Sequence, residues 1–189
     1  MSNLLYQNGI FVKKFQTLSF GDSDWLDRIE KQKYLQEYSN NFPQINYQLN
    51  ESDNSLIQQI PKVRKFNFGK ERVNFKIRFF EEFCLAVNYM HELNHVHGDI
   101  LMKNLIFNGK ELVLIDFEPS LKVINESQDE ITKITYPWIE ISDASMGVVT
   151  TKTDNLCLKA LELFIFEKNQ YYLFRENQIN SLKKINSQF

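Results

Sequence analysis

The sequence predicts an α+β protein in two parts, with strands and one helix first and helices around a short hairpin afterwards. Three observations carry this. Asn8-Gly9 sits between the strand-like runs "NLLYQ" and "IFVKKF". Apolar residues recur at helical spacing through "KIRFFEEFCLAVNYMHEL". A second, more apolar helical run, "TDNLCLKALELFIF", follows near the C-terminus. With 43% hydrophobic residues and sixteen Phe in 189 positions, the chain can bury a core of one domain divided into two lobes.

Asn-Gly accepts the positive φ angles of a two-residue hairpin turn, so the first two runs pair. "DWLDRIEKQKYLQEY" reads as a helix in which Leu26, Ile29, Tyr34 and Tyr38 recur, with Asp22, Ser23 or Asp24 as its cap. "QINYQLN" and "SLIQQI", separated by the polar "ESDN", form a second strand pair. Pro61 closes this first part, residues 1–61; the second part runs over 62–189. In its long amphipathic helix the expected core stripe is Ile77, Phe80, Cys84, Val87 and Met90 or His91. "NLIF" and "ELVLIDF" flank "NGK", another hairpin signal. Residues 122–133 read as a polar loop, and the last twenty residues as a polar helix or frayed tail.

A net charge of −2 supplies no bulk attraction for nucleic acid or an anionic membrane. The N-terminus lacks the pattern of a secretion signal, and no apolar run approaches the roughly 18 to 20 residues that span a bilayer. The expected compartment is cytoplasmic, in the producing cell or in a recipient cell if the protein is a delivered effector or toxin. Cys84 and Cys157 lie in apolar helical runs without a second Cys or His at ligand spacing, and are expected to be buried reduced thiols. His91 and His95 are too loosely placed for a metal site.

The densest chemistry lies in "HVHGDILMKNLIFNGKELVLIDFEPS". Asp99 is followed five residues later by Asn104, and the hairpin after Asn104 ends in Asp116-Phe117. Phosphoryl transfer uses Mg²⁺ held by oxygen ligands and a further carboxylate to orient the attacking hydroxyl. A hairpin between the two segments would fix their separation.

This spacing resembles the catalytic loop and metal-binding motif of the protein-kinase-like superfamily. "HGD" with "IDFE" is similar to the aminoglycoside and choline phosphotransferases, the RIO-type kinases and the lipopolysaccharide sugar kinases. "TKTDNLCLKALELF" resembles instead the protein-kinase helix whose Asp braces the catalytic loop. The resemblance implies a two-lobed kinase-like fold of reduced size, one catalytic domain with a short antiparallel-sheet N-lobe (1–61) and a helical C-lobe (62–189). It implies Asp99 as catalytic base, Asn104 and Asp116 as Mg²⁺ ligands, Asp154 as the brace, and ATP as phosphoryl donor. Lys13 or Lys14 in "FVKKF" would meet the nucleotide phosphates, paired with Glu30 or, failing that, Glu37. His97 would bond around the catalytic turn. "YPW" would mark the end of an activation-like segment or a packed aromatic turn.

The chain also departs from that pattern. Gly9 stands alone, with no room before "IFVKKF" for a glycine-rich phosphate loop. Leu101 occupies the position where many relatives place Lys or His near the transferred phosphate; Lys103 is the candidate substitute, but from a different side-chain direction. Glu118 replaces the Gly that usually follows Asp-Phe. The leading expectation is an atypical serine/threonine protein kinase acting on a protein substrate. The alternatives are a kinase for a sugar, aminoglycoside, choline-like or lipid head group, a pseudokinase interaction module, and an enzyme that transfers AMP.

Overall fold

The computed structural model describes residues 3–7, 10–16, 35, 37, 39, 41–42, 46–50, 55–61, 64–65, 68–107, 111–115, 138–146 and 149–186. These form a mixed α+β architecture of seven strands and four α-helices, with short 3-10 turns at Phe68–Lys70 and Met102–Asn104. The chain divides into two compact units: residues 1–67 with 105–117, and residues 68–104 with 118–189.

The first unit holds two antiparallel sheets. Strands β1 (Asn3–Gln7), β2 (Ile10–Gln16), β3 (Asn46–Asn50) and β4 (Ser55–Pro61) make a four-stranded sheet in the order β1-β2-β4-β3. Gln7 pairs with Ile10, leaving two residues for the connection, the length an Asn-Gly hairpin uses. Asn50 pairs with Ser55, so the polar "ESDN" segment spans the β3–β4 connection. Strand β2 is central: Lys13 lies opposite Leu4 and Gln58, and Lys14 opposite Asn3 and Ile57.

The second sheet joins β5 (Arg64–Lys65), β6 (Leu105–Phe107) and β7 (Leu112–Leu114) in that order. Phe107 pairs with Leu112, as the "NGK" signal implies. All six residues of β6 and β7 are buried, which explains why both strands read as unbroken apolar runs rather than as alternation. The polar edge of β7 is closed by Asn41. Its side-chain amide donates to Leu112 O at 2.7 Å, and its own carbonyl accepts the Leu114 N–H at 2.8 Å. Ser39 Oγ fixes the amide by donating to Asn41 Oδ1 at 3.0 Å. Substituting Asn41 with Ala leaves a buried strand carbonyl unpaired; the expected loss of stability is about 1–3 kcal/mol, measured by urea denaturation.

The second unit is helical: α1 (Val73–Glu92), α2 (Ile141–Met146), α3 (Thr151–Phe166) and α4 (Lys168–Asn186). The core stripe of α1 is Phe79, Phe83, Ala86, Val87 and Met90. This corrects the expected stripe. Ile77 is 41% exposed, and Phe80 and Cys84 are only half-buried, because the core face is rotated onto the neighbouring row of Phe residues. Phe80 instead packs edge-on against Phe166 of α3, with ring centroids 5.8 Å apart. The C-terminal residues expected to be a polar helix or tail are helical through Asn186. Helix α4 holds the Trp138 turn: Trp138 lies 5.6 Å from Tyr171 and stacks on Phe174 at 6.0 Å, and Gln178 donates to Ile139 O at 2.7 Å.

The joint between α2 and α3 is polar and saturated. Buried Asp143 accepts from the Thr150 N–H at 2.9 Å, the Thr150 hydroxyl and, at 2.7 Å, the Thr153 hydroxyl. Thr150 also caps α3, its side chain accepting the Lys152 N–H. Glu140 accepts the Ser142 hydroxyl and N–H, and the hydroxyl bond holds its carboxyl below the ordinary value.

Neither cysteine is in a disulfide, but only Cys157 is fully buried; Cys84 is half-buried. Burial, reinforced by Glu162 and Glu81, pushes the Cys84 thiol up to about 11. Thiolate is the reactive form. Iodoacetamide at pH 8 is therefore expected to label neither cysteine stoichiometrically in the folded protein and both after denaturation, as read by intact mass.

Candidate functional site

The site is built where α1 ends. Its last turn closes with the His95 N–H on Met90 O at 3.0 Å and the Asn94 N–H on His91 O at 2.9 Å. Asn94 takes the left-handed conformation between them (φ 59°), in the usual place of glycine in this kind of helix stop. The chain then passes directly into His97-Gly98-Asp99. Gly98 also has a positive φ, 79°, which a side chain at this position would oppose.

This turn is clamped by Asp154 from the first turn of α3. Asp154 Oδ1 accepts the Gly98 N–H at 2.7 Å, and Oδ2 accepts the His97 N–H at 2.9 Å. His91 Nε2 lies 3.0 Å from the same Oδ2, and acts as the donor because a carboxylate can only accept. The carboxylate is fully buried, at 0% exposure, yet each oxygen is occupied. A charge in such a place is tolerated because it is fully hydrogen-bonded and lies at a helix N-terminus. His97 completes the turn from inside, its Nδ1 accepting the Asp99 N–H at 3.1 Å. His97 thus bonds around the turn, the role expected of it.

Asp99 is 6% exposed, and its two oxygens differ. Oδ2 accepts from Asn104 Nδ2 at 2.9 Å and from Lys103 Nζ at 2.8 Å. Asn104 Nδ2 also donates to the Asp99 main-chain carbonyl at 2.8 Å. Oδ1 has no hydrogen-bond partner, and it is the one buried side-chain nitrogen or oxygen among the described residues in that condition. An unpartnered buried carboxylate oxygen costs stability until a donor meets it.

The 3-10 turn at Met102–Asn104 explains how residues 103 and 104 both reach back to Asp99. Leu101 N–H donates to Asp99 O, and Asn104 N–H to Leu101 O, each at 2.9 Å, so the chain wraps tightly over the aspartate. Lys103, whose side-chain direction the sequence left in doubt, forms an ion pair with Asp99. Sequence reasoning also missed the role of His91; its position in the last turn of α1 was the available signal.

The structure therefore brings together Asp99, Asn104, Lys103, His97, His91 and Asp154. Lys13 and Lys14 are placed on β2 of the first unit, and Glu37 is helical and exposed. Asp116, Glu30 and Glu118 lie outside the described residues. Comparison of the chain with protein-family models returns no match, and comparison with curated proteins returns none either.

For magnesium, the donor chemistry at Asn104 is suitable. Its amide nitrogen is committed to Asp99, and its remaining side-chain atom is an oxygen, the ligand type Mg²⁺ prefers. Among the described residues no cluster of three or more His, Cys, Asp and Glu could hold a metal, so a complete site would need ligands from outside them. Among the described residues, too, no helix is long and apolar enough to cross a membrane.

Proposed function

We propose that the chain is an ATP- and Mg²⁺-dependent phosphotransferase of the protein-kinase-like type, reduced in size and acting on serine or threonine hydroxyls of a protein acceptor. The observation that carries this reading is the asymmetry of Asp99. One oxygen is saturated by Asn104 and Lys103, and the other is buried and unpartnered in a turn clamped by Asp154.

The chemistry follows from that arrangement. An acceptor hydroxyl that enters the turn donates its O–H to Asp99 Oδ1, the one oxygen left to accept it. The carboxylate aims the hydroxyl oxygen and takes its proton as the new bond to the γ-phosphorus forms and the bond to the β,γ-bridging oxygen breaks, releasing ADP. Asn104 fixes the carboxylate's rotation through Oδ2, and the clamp fixes the turn itself. Magnesium, bound through the Asn104 carbonyl and Asp116, would neutralise charge on the nucleotide phosphates. Lys13 or Lys14 with Glu30 or Glu37 would orient those phosphates.

The test is transfer of label from γ-³²P-ATP with Mg²⁺ to the protein itself or to proteins of a lysate. Phosphoserine or phosphothreonine in the products is the expected result. Label confined to a small molecule would move the reading to a small-molecule kinase. Absence of nucleotide binding by calorimetry would leave a non-catalytic interaction module, and label from α-³²P-ATP would indicate AMP transfer.

A further inference from the structure

The ion pair between Lys103 and Asp99 bears on which acceptor the site takes, and this step rests on the phosphotransferase reading. We infer that Lys103 makes the acceptor subsite selective for a hydroxyl carried by a neutral or anionic molecule and selective against a cationic one. An acidic subsite around Asp99 would attract aminoglycosides, choline-like alcohols or lysine-rich peptides. The described residues do not provide that field. Lys103 Nζ sits 2.8 Å from Asp99 Oδ2 and cancels its charge locally. The other carboxylate of the turn, Asp154, is fully buried, with its oxygens taken by the His97 and Gly98 amides and by His91. Of the Lys103–Asp99 pair, what an arriving acceptor meets first is therefore the exposed ammonium group, not the buried carboxylate.

The exposures sharpen the point. The Asp99 side chain is 9% exposed, whereas that of Lys103 is 62% exposed. The cation, not the carboxylate, is the charge presented to solvent and to whatever approaches. Like charges brought together at a recognition site repel, and unlike charges are steered in. The exposed Lys103 ammonium repels a cationic acceptor and does not repel a neutral or anionic one. Asn104 alone already holds Oδ2 and the Asp99 carbonyl, so the lysine is not needed to fix the carboxylate's geometry.

The experiment measures kcat/KM for phosphoryl transfer from ATP to three serine peptides of equal length, flanked by Glu, Gln or Lys, and to kanamycin. The full chain and its Lys103→Arg, Lys103→Gln and Lys103→Glu variants are compared. The expected wild-type preference is for the Glu- or Gln-flanked peptide. Lys103→Glu is expected to shift the ratio of Lys-flanked to Glu-flanked rates by at least about tenfold towards the cationic peptide. Lys103→Arg should retain the wild-type order, and Lys103→Gln should fall between. A merely structural lysine would lower all four rates together without changing their order, and that result overturns the inference. Preference of the wild type for kanamycin or the Lys-flanked peptide also overturns it while leaving the phosphotransferase reading in place. Absence of Asp99-dependent transfer to every acceptor overturns both.

Discussion

Replacing Asp99 with Asn is expected to lower ATP-dependent phosphorylation by about 10²–10⁴-fold, the range contributed by a positioned general base. The substitution is nearly isosteric. Asn presents one carbonyl oxygen, which can still accept from Asn104 or Lys103 at the Oδ2 position, and its amide then occupies the Oδ1 position. That amide is a donor where an acceptor is needed, so an acceptor hydroxyl meets it without a group to take its proton. Nucleotide affinity should change much less than the rate, because the proposed role of Asp99 is on the acceptor side of the reaction. Thermal melting of the variant should stay close to wild type. The amide exchanges one unpartnered buried atom for another, so the main loss is the ion pair with the exposed Lys103, which is worth little. Full activity in Asp99→Asn, measured with the same labelled-ATP assay, would remove the basis of the phosphotransferase reading.

Asp154→Ala is expected to produce the largest loss of stability. The side chain satisfies two buried main-chain amides and His91. Deleting it strands these donors in a place with no water to replace the lost acceptor, at about 1–3 kcal/mol for each group left unpaired. The sum over three groups, about 3–9 kcal/mol, is a large share of the stability of an ordinary domain. Chemical denaturation monitored by helical circular dichroism measures it. Asp154→Asn should cost less, since its carbonyl still serves one amide, but its NH₂ then confronts the other. Activity should fall with both variants more steeply than stability, because the clamped amides belong to the residues immediately before Asp99. His91→Ala removes one of the three partners and should have a correspondingly smaller effect.

Much of the fold was legible because its signals are local. Asn8-Gly9 and "NGK" announce two hairpins whose registers agree, and helices α1 and α3 follow from apolar periodicity. The face of α1 was misjudged for a definite reason. Phe79, Phe80 and Phe83 crowd two adjacent rows, and periodicity fixes a helix without choosing between neighbouring rows of equal hydrophobicity. Strand β5 was missed because two charged residues, Arg64 and Lys65, carry no pattern; their pairing is decided by the strand they meet, β6.

At the candidate site, residue types and spacing pointed to Asp99, Asn104 and Asp154, but not to the bonds that give them meaning. The Asn41 amide reaches a carbonyl 71 positions away, and His91 reaches a carboxylate 63 positions away. No sequence window contains such pairs. The Lys103 ion pair was not legible because a 3-10 turn with three residues per turn carries the side chain back over Asp99.

The Asp154 clamp joins segments 56 and 57 positions apart in the chain. Neither main-chain amide can be protected until that long loop closes and helices α1 and α3 have docked, an entropic hurdle absent from either helix alone. The geometry around Asp99 is thus a late acquisition of folding. A chain cut before Thr151 would retain the residues of the turn and still lack its shape, so competence and the docking of a distant helix are gained in the same event.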